Sequence, residues 1–282
     1  NIRSSHKVAK PTGGGLIFAL MTCLLDVFRN EYFSVISLPL SIVGFFDDKK
    51  NISSILRYLS QLLTVLALIF VTSNYSSLIK ILSERHLIIL LIPLTIFLTG
   101  IINFTNFMDG IDGLVGGSML VIFIFFSINN NFLFFSIIPI LLGFLFYNWH
   151  PSKIFMGDSG SNFLGSIYVA MLLKCTTLID SFILLSLAAP LFLDSLTCLL
   201  RRYFSKQNIF KPHKLHLYQR LVQAGFSHQN VSKLYIFTTF LLSCIAIKGD
   251  IYPLIFAILI IFCVGLLLDT KFALSYEKAL NL

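Results

Sequence analysis

Residues 86–117 read HLIILLIPLTIFLTGIINFTNFMDGIDGLVGG, an apolar run that ends in a segment rich in amides, carboxylates and glycines. No Asp, Glu, Lys or Arg occurs in residues 86–108. About 20 consecutive apolar residues are enough for a helix to cross the hydrocarbon core of a bilayer. The stretch therefore predicts a transmembrane helix with a polar segment at its end.

The rest of the chain repeats this pattern. Of its 282 residues 56% are hydrophobic and 12% are charged, whereas soluble domains carry about 25% charged residues. Apolar runs of near-spanning length occur at about 14–28, 32–46, 56–74, 87–105, 111–128, 132–147, 160–174, 180–199, 234–248 and 251–268. We therefore predict an all-α fold, a polytopic transmembrane helical bundle of about ten spans that forms one integral membrane domain, 1–282.

The distribution of basic residues predicts the orientation of this bundle. If residues 1–13 are cytoplasmic, 16 of the 21 Lys and Arg residues lie on the cytoplasmic side and 5 lie on the other side. This asymmetry follows the positive-inside rule. The net charge of +8 is then explained by topology and by an anionic membrane surface, so we expect membrane lipid and no nucleic acid as a partner.

Five acidic residues fall on the same predicted side, at loops or helix ends. They are Asp47, Asp48, Asp109, Asp112 and Asp158. Carboxylates at the ends of membrane helices are costly unless they are solvated, paired or bound to metal, so they are candidates for a functional site. Asp47 and Asp48 suit a hard cation or a base; the alternative is a solvated cluster neutralised by Lys49 and Lys50.

Two further segments combine carboxylates with glycine. In residues 103–117 the residues Asn103, Asn106, Asp109 and Asp112 recur at every third position, a density of oxygen ligands that favours a cation or phosphate site over a Gly-rich helix contact. In residues 148–165 the sequence GDSG opens an apolar run. A helix N-terminus of this kind favours phosphate, and Asp158 there can hold Mg²⁺ or simply cap the helix.

Residues 200–233 form a basic cytoplasmic loop that carries seven Lys and Arg residues and no acid. Its segment KPHKLHLYQRLVQAGFSH predicts a short amphipathic helix ending at Gly225. The loop is either a helix on an anionic lipid surface or a lid whose cationic and His donors close over a diphosphate. Its histidines match no standard zinc spacing, and the five scattered cysteines are predicted to be buried packing residues.

The motifs HKVAKPTGGG, FFDDKK, NFTNFMDGIDGL, KIFMGDSGS and HKLHLYQRL, in this order, closely resemble those of the polyprenyl-phosphate N-acetylhexosamine-1-phosphate transferases. This superfamily includes phospho-N-acetylmuramoyl-pentapeptide transferase. The resemblance covers nearly the whole chain and implies an enzyme of the bacterial inner membrane with a cytoplasmic active site. Family members have about ten or eleven spans, so we expect that a first family helix lies upstream of residue 1.

The resemblance also implies a reaction and roles for individual residues. A sugar 1-phosphate passes from a UDP-N-acetylhexosamine to undecaprenyl phosphate and UMP is released, with Mg²⁺ as cofactor and Mn²⁺ as its alternative. The implied catalytic residues are Asp47, as base or organiser of the attacking lipid phosphate, Asp48 beside it, and Asp109, which supports the site. The implied metal residues are Asn106 and Asp158. Asp112 would bind the uracil edge and Phe155 would stack on the ring. Lys7, Lys10, His213, Lys214 and His216 are the remaining candidates for substrate contacts.

One departure narrows the expected substrate. Many members carry an HLHH-type motif where this chain has His216-Leu217-Tyr218-Gln219, which looks like the loop of enzymes that start O-antigen or capsule chains. This favours a 6-deoxy-N-acetylhexosamine or N-acetylglucosamine in lipopolysaccharide or other surface-polysaccharide synthesis. The alternatives are phospho-N-acetylmuramoyl-pentapeptide transfer and, from another class, an ion-coupled transporter. A homodimer is a further expectation.

Overall fold

The computed structural model describes residues 10–72, 84–130, 133–208 and 211–280, and these ranges contain helices and no β-strand. The helices are α1 (Gly14–Phe28), α2 (Phe33–Lys50), α3 (Ser54–Thr72), α4 (Glu84–Phe107), α5 (Leu114–Asn129), α6 (Ile137–Asn148), α7 (Gly157–Lys174), α8 (Leu178–Leu187), α9 (Ala189–Phe204), α10 (Leu217–Gln223), α11 (His228–Ala246), α12 (Ile251–Lys271) and α13 (Tyr276–Leu280). The all-α prediction is confirmed.

Each apolar run predicted from the sequence overlaps a helix in the described residues, with one correction. The run at 180–199 does not form one straight helix, because α8 and α9 meet at an angle of 77°. The break lies at Ala188, and Pro190 follows in the first turn of α9. Proline is tolerated in a first helical turn but cannot continue a preceding helix.

The centre of the bundle is α7, in which every residue from Ser159 to Leu172 is buried. It packs against α1, α2, α3 and α4. Gly15 of α1 and Gly160 of α7 lie so close together that a Cβ on Gly15 would collide with the backbone of Gly160. Small residues at such crossings let membrane helices approach closely.

Apolar side chains cover much of the outer surface. In α12 only Leu254 is buried, which is the pattern of a helix that faces lipid. Among the described residues, Ser54–Thr72, Ile89–Phe107 and Ile251–Lys271 are each long and apolar enough to cross a bilayer, and the bent pair of α8 and α9 adds a fourth candidate. The chain is a membrane protein, whereas the full number of ten spans stays a prediction.

The polar ends of α2, α4 and α7 meet at one end of the bundle. Asp47 and Asp48 lie in the last turn of α2, and Asp158 lies in the first turn of α7. The helix α4 ends at Phe107, and the chain then turns through residues 108–113 before α5 begins. Gly113 has a φ of 73°, a left-handed conformation that glycine adopts without steric cost.

Candidate active site

A cavity of about 1200 Å³ opens at this end of the bundle. It is lined by the ends of α2, α3, α4 and α7, by the 108–113 turn and by the basic loop. Its acidic side chains are Asp48, Asp109 and Asp158, and its cationic or titratable nitrogen-bearing side chains are Lys10, Arg57, Arg202, Lys211, His213 and His216. Ligand sites for drug-sized molecules occupy about 300–1,000 Å³, so a larger polar ligand fits here.

Asp48 lies against the N-terminus of α7. Its Oδ1 accepts a hydrogen bond from the backbone N–H of Asp158 at 3.2 Å, and its Oδ2 is buried and accepts none from the described residues. Gly157 makes this approach possible, because a Cβ there would collide with Oδ2 of Asp48, and its φ is +68°. An unsatisfied buried carboxylate oxygen of this kind is costly unless a cation binds it.

The three cavity carboxylates destabilise one another's charge. Burial and the neighbouring Asp158 raise the pKa of Asp48 to about 7. Burial, together with the charges of Asp158 and Asp48, also raises the pKa of Asp109 well above its usual range. Such like-charge crowding is relieved when a cation binds between the carboxylates.

Asn106 and Asp158, the two predicted metal residues, are in direct contact. The side-chain amide of Asn106 donates to Oδ1 of Asp158 at 3.0 Å and to the hydroxyl of Ser161 at 2.8 Å. Carboxylate and amide oxygens are the hard ligands that Mg²⁺ prefers. This donor set and the unsatisfied oxygen of Asp48 therefore fit a divalent metal.

Asp47 occupies a different position from its neighbour. It is 5% exposed and is absent from the cavity lining. Its Oδ2 accepts from Arg57 at 2.9 Å, and its Oδ1 accepts from the backbone N–H of Ile52 at 2.8 Å. The guanidinium of Arg57 also lies 4.0 Å from Asp158, so Asp47 holds a cavity cation in place.

Asp112 also lies outside the cavity lining, and it is 1% exposed. Its carboxylate accepts from the hydroxyl of Ser152 at 2.6 Å and lies 2.8 Å from Nδ1 of His150, with His228 at 3.7 Å. Through these contacts Asp112 holds the 108–113 turn against Ser152, His150 and His228. Its assignment to a uracil edge stays a prediction.

Lys10 and Phe155 lie together at the cavity wall. The Lys10 ammonium is 5.2 Å from the centre of the Phe155 ring and donates to the hydroxyl of Ser152 at 3.0 Å. The backbone N–H of Phe155 donates to Pro11 at 3.0 Å, which ties the N-terminal segment to the entry of α7. Lys7, the other basic candidate in this segment, lies outside the described residues.

The basic loop reaches the cavity through His213 and His216, whereas Lys214 does not line it. The short amphipathic helix predicted in this segment is α10, which begins just after His216, and Gly225 follows it with a φ of +104°. Nδ1 of His216 lies 3.6 Å from the buried carboxylate of Asp194. Burial lowers the pKa of His216, but this carboxylate helps to raise it, and the resulting pKa is about 9.

Two features of the cavity were missed by the sequence reasoning. Arg57 was counted only as a cytoplasmic charge, although its position in the first turn of an otherwise apolar helix was a usable signal. The second feature is an amide network in which Gln61 bonds to Asn103 at 2.9 Å and to Asn162 at 3.1 Å. All three side chains line the cavity. Asn103 belongs to the predicted series of 103–112, whereas Gln61 and Asn162 gave no pattern to follow.

Eight predicted site residues therefore share one cavity: Lys10, Asp48, Asn106, Asp109, Phe155, Asp158, His213 and His216. Comparison with known families shows that the sequence model of glycosyl transferase family 4 matches residues 31–176, more than half of the chain. The chain belongs to glycosyl transferase family 4. The membership predicted from the motifs is confirmed, and the matched range of this family 4 chain contains five of the eight cavity residues.

Curated relatives of this family 4 chain are similar over most of its length. It is 34% identical over 251 residues to the "probable undecaprenyl-phosphate N-acetylglucosaminyl 1-phosphate transferase" of Bacillus subtilis, covering 80% of this chain and 70% of that protein. It is 34% identical to the phospho-N-acetylmuramoyl-pentapeptide-transferase of Petrotoga mobilis, over 64% of this chain and 67% of that protein. It is 31% identical to the decaprenyl-phosphate N-acetylglucosaminephosphotransferase of Mycobacterium leprae, over 67% of this chain and 56% of that protein.

Proposed function

We propose that this chain transfers an N-acetylhexosamine 1-phosphate from a UDP-sugar to undecaprenyl phosphate and releases UMP. The observation that carries the proposal is the single cavity in which the carboxylates of Asp48, Asp109 and Asp158 lie with at least four cationic side chains. Phosphoryl transfer requires mainly positioning and neutralisation of anionic oxygens, and this cavity offers both. The names of the relatives, which pair a polyprenyl phosphate or a muramoyl pentapeptide with phosphotransfer, support it.

In the proposed reaction, an oxygen of the lipid phosphate attacks the phosphorus that carries the sugar. The bond from that phosphorus to the oxygen shared with UMP breaks, and UMP leaves with the electron pair. Lys10, Arg57, Arg202 and Lys211, together with protonated His216, would bind the phosphate oxygens by charge-assisted hydrogen bonds. Gln61, Asn103 and Asn162 would supply uncharged donors and acceptors.

The proposed metal is Mg²⁺, or Mn²⁺ in its place, held by Asp158 and Asn106 with Asp48 and Asp109 beside them. When bound, such an ion polarises phosphoryl oxygens and neutralises the negative charge of the transition state. Within this arrangement we assign the organisation of the attacking phosphate to Asp48, because its carboxylate borders the cavity. Asp47 acts through Arg57, to which it is bonded.

The substrate is proposed to be a 6-deoxy-N-acetylhexosamine or N-acetylglucosamine at the start of a lipopolysaccharide or other surface polysaccharide. The supporting feature is the loop sequence His216-Leu217-Tyr218-Gln219, in which Gln219 accepts from the backbone of His216 and Tyr218 donates to the carbonyl of Phe107 at 3.0 Å. We place the enzyme in the bacterial inner membrane with about ten spans and the cavity on the cytoplasmic side. A homodimer is part of this proposal.

The test is UMP release by the purified chain with undecaprenyl phosphate, Mg²⁺ and each of several UDP-N-acetyl sugars. UDP-N-acetylmuramoyl-pentapeptide belongs in the same series, because the Petrotoga mobilis relative is named for that transfer. We expect UMP with an N-acetylhexosamine donor and none with the pentapeptide donor. The reverse pattern selects the peptidoglycan reaction, and release from no donor by folded protein rejects transfer altogether.

The matched controls for this assay are two substitutions that each remove one negative charge. Asp48→Asn removes it in the cavity, and Asp250→Asn removes it at an exposed position before α12. We expect the first variant to lose UMP release and the second to keep it. Equal rates in both variants would show that the measured UMP does not arise at this cavity.

A further inference from the structure

A second cluster of ligating side chains lies beside the carboxylate site, where α9 meets the basic loop. Cys198, His213 and His216 each offer one ligand atom, and these atoms all lie within 4.8 Å of one another. Cys198 and His216 are buried and His213 is half-buried. The three residues are separated along the sequence by 15 and 3 positions, so no motif marks them, and the fold alone brings them together.

The helix α9 carries Cys198 and fixes the position of His216 through Asp194. Asp194 and Cys198 are four residues apart and therefore lie on the same face of α9. The Asp194 carboxylate accepts the backbone N–H groups of Leu217 at 2.8 Å and Tyr218 at 3.1 Å, which fixes the start of α10 directly after His216. The hydroxyl of Tyr235 donates to the same carboxylate at 2.7 Å.

A second anchor fixes the part of the loop that carries His213. Arg202, one further turn along α9, is 3% exposed and donates to the backbone carbonyls of Asn208 and Lys211. The loop is thus tied to α9 on both sides of His213. Because both the loop and the thiol are held on the same helix, the three ligands are close before any ion binds.

We propose that Cys198, His213 and His216 form a binding site for a thiophilic divalent cation such as Zn²⁺, separate from the carboxylate site. One thiolate and two imidazoles make a ligand set that selects Zn²⁺ over Mg²⁺, which prefers oxygen. The Asp194 carboxylate lies 3.6 Å from Nδ1 of His216, and a carboxylate behind a ligating histidine is a common outer partner of zinc. The Cys198 thiol and the His216 imidazolium each release one proton to solvent when they bind the ion.

The alternative explanation is that each residue has only a packing or pairing role. In that case Cys198 is an apolar filler on α9, and His216 is the ion-pair partner of Asp194. That account explains the burial of both residues. It also accounts for part of the position of His213, whose ring centre lies 5.0 Å from that of His216 and whose Nδ1 accepts the backbone N–H of Leu215 at 3.3 Å. The cobalt titration described below separates this account from a metal site.

An ion bound at this site would also affect the cavity. This consequence rests on the proposed function. His213 and His216 also line the cavity, so an ion that takes both imidazoles withdraws them from an anionic substrate. Transfer would then be inhibited by Zn²⁺ at concentrations that leave the Mg²⁺ site filled. The site would make the enzyme sensitive to thiophilic metal.

Cobalt titration of the purified full chain, without substrate and without Mg²⁺, tests the site independently of activity. Co²⁺ substitutes for Zn²⁺, and a bound thiolate gives an intense ligand-to-metal absorption band. We expect this band in the unaltered chain and in Cys244→Ala, which removes an exposed cysteine on α11. We expect it to be absent in Cys198→Ala and in Cys198→Ser, which keeps the side-chain size. No band in the unaltered chain, or an equal band in folded Cys198→Ala, overturns the proposal.

The inhibition is tested by UMP release at a fixed excess of Mg²⁺ with increasing Zn²⁺, each variant being normalised to its own rate without Zn²⁺. We expect the half-inhibitory Zn²⁺ concentration to rise at least about 10-fold in Cys198→Ala and to stay unchanged in Cys244→Ala, as loss of one ligand weakens a site strongly. Equal sensitivity of all three proteins overturns the link to the cavity. If no protein releases UMP, the proposed function fails, and the cobalt band still decides the metal site.

Discussion

At the scale of single residues, the adjacent carboxylates Asp47 and Asp48 show how position on a helix separates two identical side chains. Successive residues project about 100° apart around a helix axis. Asp48 consequently borders the cavity against Gly157, whereas Asp47 faces Arg57. The resemblance implied that Asp47 organises the attacking phosphate, with Asp48 beside it, whereas the carboxylate that borders the cavity is that of Asp48. The sequence does not show which of the two faces the cavity, because the rotation of α2 about its axis is set by its packing on α7.

This difference predicts unequal effects of two isosteric substitutions. Asp48→Asn should lower the rate of UMP release by at least about 100-fold, a typical effect of losing a group that acts on the reacting atoms. Asp47→Asn should lower it about 10-fold, mainly through a higher KM, because it loosens only the phosphate-binding Arg57. Steady-state kinetics of both variants measure this, and a larger loss in Asp47→Asn would reverse the two assignments.

The charge of His216 predicts a pH dependence. Its pKa is raised from 6.5 to about 9 in the folded protein, so its contribution to stability is fully present below pH 6.5 and is lost as the pH rises through about 9. A protonated imidazole also binds phosphate, so UMP release should fall over the same alkaline range.

Asp194→Asn tests this origin of the charge. It removes the carboxylate that stabilises the imidazolium, so the alkaline fall in the rate should begin at lower pH than in the unaltered chain. Tyr235→Phe is the matched control, because it removes one hydrogen bond to Asp194 but leaves the charge. Rate profiles against pH that are identical in Asp194→Asn and the unaltered chain would exclude this role of Asp194.

At the scale of elements, hydropathy predicted nearly all helices but not their interruptions. The run at 180–199 was predicted as one span because hydropathy is high on both sides of Pro190. The proline was a usable signal for the break at Ala188 that separates α8 from α9. The turn at 108–113 was easier to anticipate, because glycines and carboxylates together disfavour a continuous helix. Asn103 was predicted as a site residue, but its network with Gln61 and Asn162 was not, because contacts that depend on how helices face one another leave no pattern in the sequence.

The junction between α2 and α7 predicts that residue 157 must be glycine. In Gly157→Ala the new Cβ meets Oδ2 of Asp48, and the φ of +68° is unfavourable for alanine, at a cost of about 1–2 kcal/mol. We expect a lower melting temperature and a loss of UMP release as Asp48 is displaced. Gly143→Ala is the control, because nothing lies within 4 Å of its Cβ position, and there both quantities should be retained. Full activity of Gly157→Ala would contradict the close contact of Asp48 with the entry of α7.

At the scale of the whole molecule, α7 links the charge pattern of the loops to the position of the cavity. It begins at the cavity and its 18 residues extend about 27 Å, close to the thickness of the hydrocarbon core. Lys174 at its far end lies over the Phe33 ring at the start of α2, so α2 and α7 run between the same two ends. The basic loop and the cavity share one end, and the positive-inside asymmetry predicts that this end is cytoplasmic.

This orientation is tested by cysteine labelling with a membrane-impermeant maleimide, in a background where Cys175, Cys244 and Cys263 are alanine. The two buried cysteines remain, so the background itself is the blank. Ser205→Cys at the cavity end and Thr176→Cys after α7 are both exposed positions. We expect Ser205→Cys to be labelled only in inside-out vesicles and Thr176→Cys only in intact spheroplasts, since the reagent cannot cross the bilayer. The opposite pattern would place the basic loop and the cavity outside the cytoplasm, where UDP-sugars are not supplied, and would therefore remove the proposed donor as well as the proposed topology.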